Sequence, residues 1–197
     1  MVLHVSSRQA RRGAPEQFSR CVQALAQVRT RPEVTLLEIP APQRIAPNST
    51  ALSADVMLPE SEDPVATGRF IVLHDPAEPE AWDGAWRVVT YATCQLDAEM
   101  GADPLLPEVG WSWLSDALDD AGVGYRALGG TVTRIVSESF GSLADKDASA
   151  ELELRASWTV SGAELGDHLL LWTELLCTIA GLPPLPDGVV PLPGIRR

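Results

Sequence analysis

The segment SAELELRASWTV, residues 149–160, alternates apolar and polar side chains more cleanly than any other part of the chain. Leu152, Leu154, Ala156 and Trp158 fall on one side, and Glu151, Glu153, Arg155 and Ser157 on the other. A period of two is strand geometry with one face buried. Working outward from it, ALSADVML (51–58) repeats the pattern, with Leu52, Ala54, Val56 and Leu58 inward and Ser53 and Asp55 outward. RFIVLHD (69–75) is apolar on both faces and predicts a central strand. EVTLLEI (33–39), AWRVVTYATCQL (85–96) and GGTVTRIVSESFG (129–141) supply further strands. The loop PAEPEAWDG (76–84) joins two of these as a wide antiparallel hairpin.

Three segments carry helical spacing instead. APEQFSRCVQALAQVRT (14–30) places Phe18, Val22, Leu25 and Arg29 on one stripe, with Pro15 at a first helical position and Pro32 ending the run. DPLLPEVGWSWLSDAL (103–118) predicts a helix from Pro107 to Ala121, closed by Gly122. The last helix spans 163–180, stopped by Gly181 and then Pro183 and Pro184. The order α-β-β-β-β-α-β-β-α, with short intervals between strands, predicts an α+β fold. Its sheet is largely antiparallel, of five to six strands, with three helices. Residues 15–182 form a single domain, 1–14 a flexible basic tail and 183–197 a proline-rich tail. Val189, Val190, Leu192 and Ile195 suit that last tail to docking on its own domain, with an exposed partner-binding tail as the alternative.

The totals narrow the classes of function. A chain of 197 residues fits one domain, and a net charge of −12 disfavours nucleic acid or anionic lipid as a partner of the body. The charge is uneven. Residues 1–44 hold seven Arg against Glu16, Glu33 and Glu38, leaving −16 for the rest. Three cysteines without a CxxC motif argue for reduced thiols in a cytosol and against a zinc cluster. The start lacks the apolar core of a signal peptide, and the most apolar run, HLLLWTELLCTIAGL (168–182), is too short for a membrane span. GxSxG, P-loop, GxGxxG, HExxH and EF-hand patterns are all absent, so no catalytic residue, cofactor or metal is implied.

Within the second helix, Trp111 and Trp113 point about 200° apart. Leu114, Ala117, Leu118 and Ala121 form the core stripe, with Trp111 at its edge. Trp113 falls about 100° away, beside Val109. Either the helix is packed on two sides, or Trp113 and Val109 belong to a patch that binds a protein partner or a second subunit. Asp116, Asp119 and Asp120 crowd the end of this helix, with Arg126 as a candidate counter-charge. On the last helix, His168 shares a face with Leu165, Trp172, Leu175 and Ile179. It is either a hydrogen-bonded histidine at the core edge or the titrating group of a small-molecule pocket walled by Trp172. His74 and Asp75 adjoin on a strand and face opposite ways, which favours a turn over a dyad.

The runs RPEVTLLEIPAPQRIAP, ATGRFIVLHDP, WRVVTY, DPLLPEVGWSWL, GTVTRIVSESFG, AELELRASW and LLCTIAGLPPLP together resemble an uncharacterised actinobacterial family defined only as a domain of unknown function. The resemblance covers residues 15–193 and implies a cytoplasmic bacterial protein without assigned catalytic residues. It also implies genes lying near those of a ribonuclease D-like exonuclease. In layout alone the order of elements resembles type III secretion chaperones. Three functions follow as expectations. The first is a non-enzymatic protein-interaction module acting through Trp113 and Val109, with a protein partner or a homodimer. The second is a small-molecule-binding protein or enzyme with a pocket at His168 and Trp172. The third is an accessory protein of a ribonuclease, touching RNA only through its Arg8–Arg12 tail.

Overall fold

The structure is a computed structural model and describes residues 15–184. Its elements in chain order are α1 (Glu16–Gln27), β1 (Val34–Ile39), β2 (Asn48–Val56), β3 (Ala66–His74), β4 (Trp86–Leu96), α2 (Ala98–Ala102), α3 (Leu106–Asp120), β5 (Tyr125–Ser137), β6 (Ser149–Val160) and α4 (Leu165–Ile179). The fold is α+β, with the predicted order of long elements and a fourth helix, α2. That helix is a single turn capped by Asp97, whose side chain accepts from the Met100 N–H. Five residues are too few to show an apolar period, which is why the sequence pattern passes over it. Asp103 likewise binds the Leu105 N–H in a turn, and α3 starts one residue before the expected Pro107.

Six strands form one sheet in the order β1-β2-β3-β4-β6-β5, every neighbouring pair antiparallel. Strands β1 to β4 are a simple meander. The chain then crosses through α2 and α3 to the far edge, lays down β5, and returns through a hairpin so that β6 fills the gap beside β4. Helices α1, α3 and α4 pack together on one face of the sheet. That face carries the inward sets predicted from alternation: Leu52, Ala54 and Val56 of β2, and Leu152, Leu154, Ala156 and Trp158 of β6, all buried. Helix α4 is buried nearly all round and lies at the centre of the core.

Two glycines let the layers approach. A side chain at Gly68 on β3 would stand 2.6 Å from the Trp172 indole and 3.1 Å from Leu176, so the central tryptophan of α4 rests on bare backbone. At Gly130 on β5 it would meet Trp111 at 2.8 Å and the Ala156 backbone at 2.9 Å. Trp111 therefore packs down on β5, and α3 also contacts β6 and α4. Of the aspartates ending α3, Asp119 accepts from the Tyr125 hydroxyl at 2.7 Å. Arg126, expected near them, pairs instead with Asp83 at 3.4 Å, because the turn after α3 aims it toward the β3–β4 loop.

Candidate functional site

Among the described residues, seven of the ten exposed large hydrophobic side chains come from one region: Met100, Leu105, Val109, Ile135, Val136, Phe140 and Leu143. They belong to α2, the first turns of α3, the end of β5 and the loop after it. All these elements gather at the β5 margin of the sheet, where α2 and α3 lie against β5. Phe140 is 75% exposed, which a solvated loop has no reason to keep. Val109 belongs to this set. Trp113 does not: its indole is half-buried and packs on the hydrophobic core.

The strand underlying this region is the free edge of the sheet. β5 is 13 residues long, contains no proline and no lysine, has an irregularity in its pairing between Arg126 and Gly129, and among the described residues has β6 as its only neighbour. Its Arg134 is folded back onto the Ala102 and Asp103 carbonyls, away from the free edge. The opposite edge is guarded. β1 has 6 residues, holds Glu38, and is bracketed by Pro32, Pro40 and Pro42. Proteins usually blunt an edge as β1 does, because unpaired backbone groups invite another strand.

A second concave feature lies on the face of the sheet away from the helices. It is a groove of about 720 Å³, whose lining includes Arg69, Ile71, Val89, Tyr91, Gly129 and Arg155. Strand register makes one cross-strand row of Arg69, Tyr91, Arg155 and Thr131, and the next of Ile71, Val89, Ser157 and Gly129. The Arg155 guanidinium lies 5.5 Å from the Tyr91 ring centre, over its face. Beside the second row, Arg87 donates to Ser157 Oγ at 2.7 Å, Thr159 Oγ1 at 3.1 Å and the Ala127 carbonyl at 2.9 Å. No periodicity along a single strand announces this row. It exists only once four strands are in register.

The family described as a protein of unknown function (DUF3000) matches residues 14–190. The chain belongs to the DUF3000 family. No curated protein and no solved structure matches it. The DUF3000 name assigns no residue a role, so the functional argument rests on the geometry of this chain. Among the described residues of this DUF3000 chain, no group of three or more His, Cys, Asp or Glu is placed to hold a metal, and no helix is long and apolar enough to cross a membrane. The Arg8–Arg12 run and the apolar residues 189–195 lie outside the described residues.

His168 and Trp172 sit in the core of this DUF3000 fold, both fully buried, and neither lines the groove. His168 Nδ1 accepts from the Trp158 indole N–H at 3.2 Å, which fixes the tautomer with hydrogen on Nε2. That Nε2 is buried and has no hydrogen-bond partner among the described residues. Burial holds the His168 pKa below the ordinary imidazole value, against smaller opposing pulls from Gly124, Glu164 and Asp167. His74 is also buried rather than placed in a turn. It stacks 4.1 Å from the Trp86 ring, next to Phe18, and burial depresses its pKa too. Asp75 alone makes the turn, accepting from the Ala77 N–H.

Both histidines therefore take up a proton more readily unfolded than folded. Their contribution to stability is fully present above the unfolded value of about 6.5 and is lost as pH falls toward the depressed folded values. Each supplies a slope of at most about 1.4 kcal/mol per pH unit. The urea midpoint should fall on acidification below about pH 6.5, and His168→Gln should flatten that fall. A midpoint independent of pH in this range would show that the imidazoles titrate freely.

Proposed function

We propose that this chain is a non-enzymatic protein-interaction module, that its binding surface is the free edge of β5 with the apolar side chains around it, and that the partner seated there is a second copy. The observation that carries this is the contrast, among the described residues, between the sheet's two edges: β1 short and proline-bracketed, β5 regularly paired from Gly129 to Ser137 with no proline, lysine or acidic residue. Antiparallel pairing of two β5 strands about a twofold axis at Thr133 sets Val132 opposite Arg134 and Thr131 opposite Ile135. Like charges then do not meet, and β5 contains no acidic residue to oppose its own copy. Leu105, Val109 and Val136 of each copy lie beside the seam, so apolar burial adds to the new backbone hydrogen bonds. The buried, unpaired Cys21, Cys94 and Cys177 fit a reducing compartment, in keeping with a cytosolic protein.

Sedimentation equilibrium of the full chain at micromolar concentration should give twice the chain mass. Placing charge on the edge with Thr131→Lys and Ile135→Lys together should give the single-chain mass with an unchanged far-ultraviolet spectrum. A single-chain mass for the unaltered protein, or a dimer that survives both lysines, would remove this assignment.

A further inference from the structure

We propose that the groove on the bare face of the sheet is a binding site for a small amphiphilic carboxylate: an organic anion with an aliphatic or aromatic body. Two arginines, Arg69 and Arg155, line it in a chain whose net charge is −12. Arg69 projects from β3 and Arg155 from β6, on either side of Tyr91, so their backbones lie two strand spacings apart, about 9.6 Å. A carboxylate above Tyr91 reaches both. Among the described residues Arg69 forms no ion pair, while Arg87, beyond the aliphatic row, is held by Ser157, Thr159 and the Ala127 carbonyl.

Glu153 and Glu151 of this face do not line the groove and are already engaged. Glu153 accepts from Tyr91 at 3.0 Å and pairs with Arg155 Nε at 2.9 Å, leaving the terminal nitrogens of that guanidinium available. Glu151 accepts from Thr93 at 2.6 Å and Gln95 at 3.2 Å. Asp55, on β2, lies in the row beyond Arg69 and pairs with no cation among the described residues.

The apolar half of the site is the floor of Ile71 and Val89, which lead to Gly129. Gly129 needs to be glycine for neither of the usual reasons. Its φ lies outside the left-handed range, and an added Cβ would meet nothing within 4 Å. What a side chain there would occupy is the groove itself. The groove volume lies within the roughly 300–1,000 Å³ of small-molecule sites.

Isothermal titration of the full chain with decanoate, below its micellar concentration, tests the site. Saturable binding at one site per chain is expected. Arg69→Ala with Arg155→Ala should weaken it about tenfold or more, because charge-assisted hydrogen bonds are lost. Gly129→Leu should weaken it by filling the floor, and decylamine, with the same chain and the opposite charge, should not compete. Melting curves of these surface variants should match the parent, which separates loss of binding from loss of fold. Absence of decanoate binding would overturn the proposal. So would affinity unchanged in the double arginine variant, or equal binding of decylamine.

Discussion

Trp158→Ala should bring the protein close to complete unfolding. The indole is fully buried on β6, against Phe70 and His168, and its N–H is the donor to His168 Nδ1. Truncating a buried tryptophan costs about 3–5 kcal/mol through lost contacts and the cavity left behind. The imidazole nitrogen, sealed from water, then loses its donor, which adds about 1–3 kcal/mol. A domain of this size holds only about 5–15 kcal/mol in total. Urea titration followed by far-ultraviolet circular dichroism should show the midpoint collapse. Trp158→Phe keeps most of the volume and isolates the hydrogen bond, so it should retain a cooperative transition shifted by the smaller amount. An alanine variant within about 1 kcal/mol of the parent would mean that Trp158 is not the keystone of this core.

Arg31→Ala should be the second most damaging change, for a different reason. Arg31 is 5% exposed and ties three parts of the chain together. Its Nη1 donates to the Pro183 carbonyl at 2.8 Å and lies 3.7 Å from Glu174 of α4, while Nε lies 3.5 Å from Glu33. Removing one partner of a buried ion pair costs about 3–5 kcal/mol. The lower end applies, because the Glu33 and Glu174 side chains keep 27% and 36% exposure and water offsets part of the loss. Burial raises the Glu174 pKa above the ordinary carboxylate value, and Arg31 opposes that rise. A raised carboxyl pKa contributes stability that is present below the unfolded value and lost as pH climbs through the folded one. Without Arg31 the rise is larger, so the deficit of the variant should be greatest at neutral pH and shrink on acidification. A deficit equal at both ends would assign the role of Arg31 to packing alone.

Much of the architecture was legible because it follows from one-dimensional periods. The alternation in β6 and β2, the Phe18–Leu25 stripe of α1, the stripe of α3 and the stop at Gly181 all have local causes, whereas Arg29, expected on the α1 stripe, lies past the helix end at Gln27 and is exposed. The placement of β5 does not. Alternation says that a strand exists and which side is buried, but strands adjacent in sequence are ordinarily adjacent in space, and here β6 intervenes between β4 and β5. The same holds for the sites. That Trp113 and Val109 stand off the core stripe is helix arithmetic. That Val109 faces solvent while Trp113 is half-covered depends on the crossover that lays α3 over β5. His168 was legible as a residue of the buried face of α4, yet its donor Trp158 sits on a strand whose register no local pattern sets. The arginine row of the groove was invisible for that reason.

The insertion of β6 between two strands made earlier also constrains how the molecule can be born. A ribosome releases β1 to β4 as a meander of neighbours, then α3 and β5, while the slot joining β5 to the rest is still unoccupied. The strand that fills the slot and the helix at the centre of the core arrive together, in residues 149–179. A nascent chain halted before them carries two orphaned edges, β4 and β5, and an uncovered oily floor. Its survival until completion then falls to whatever shields it near the exit tunnel.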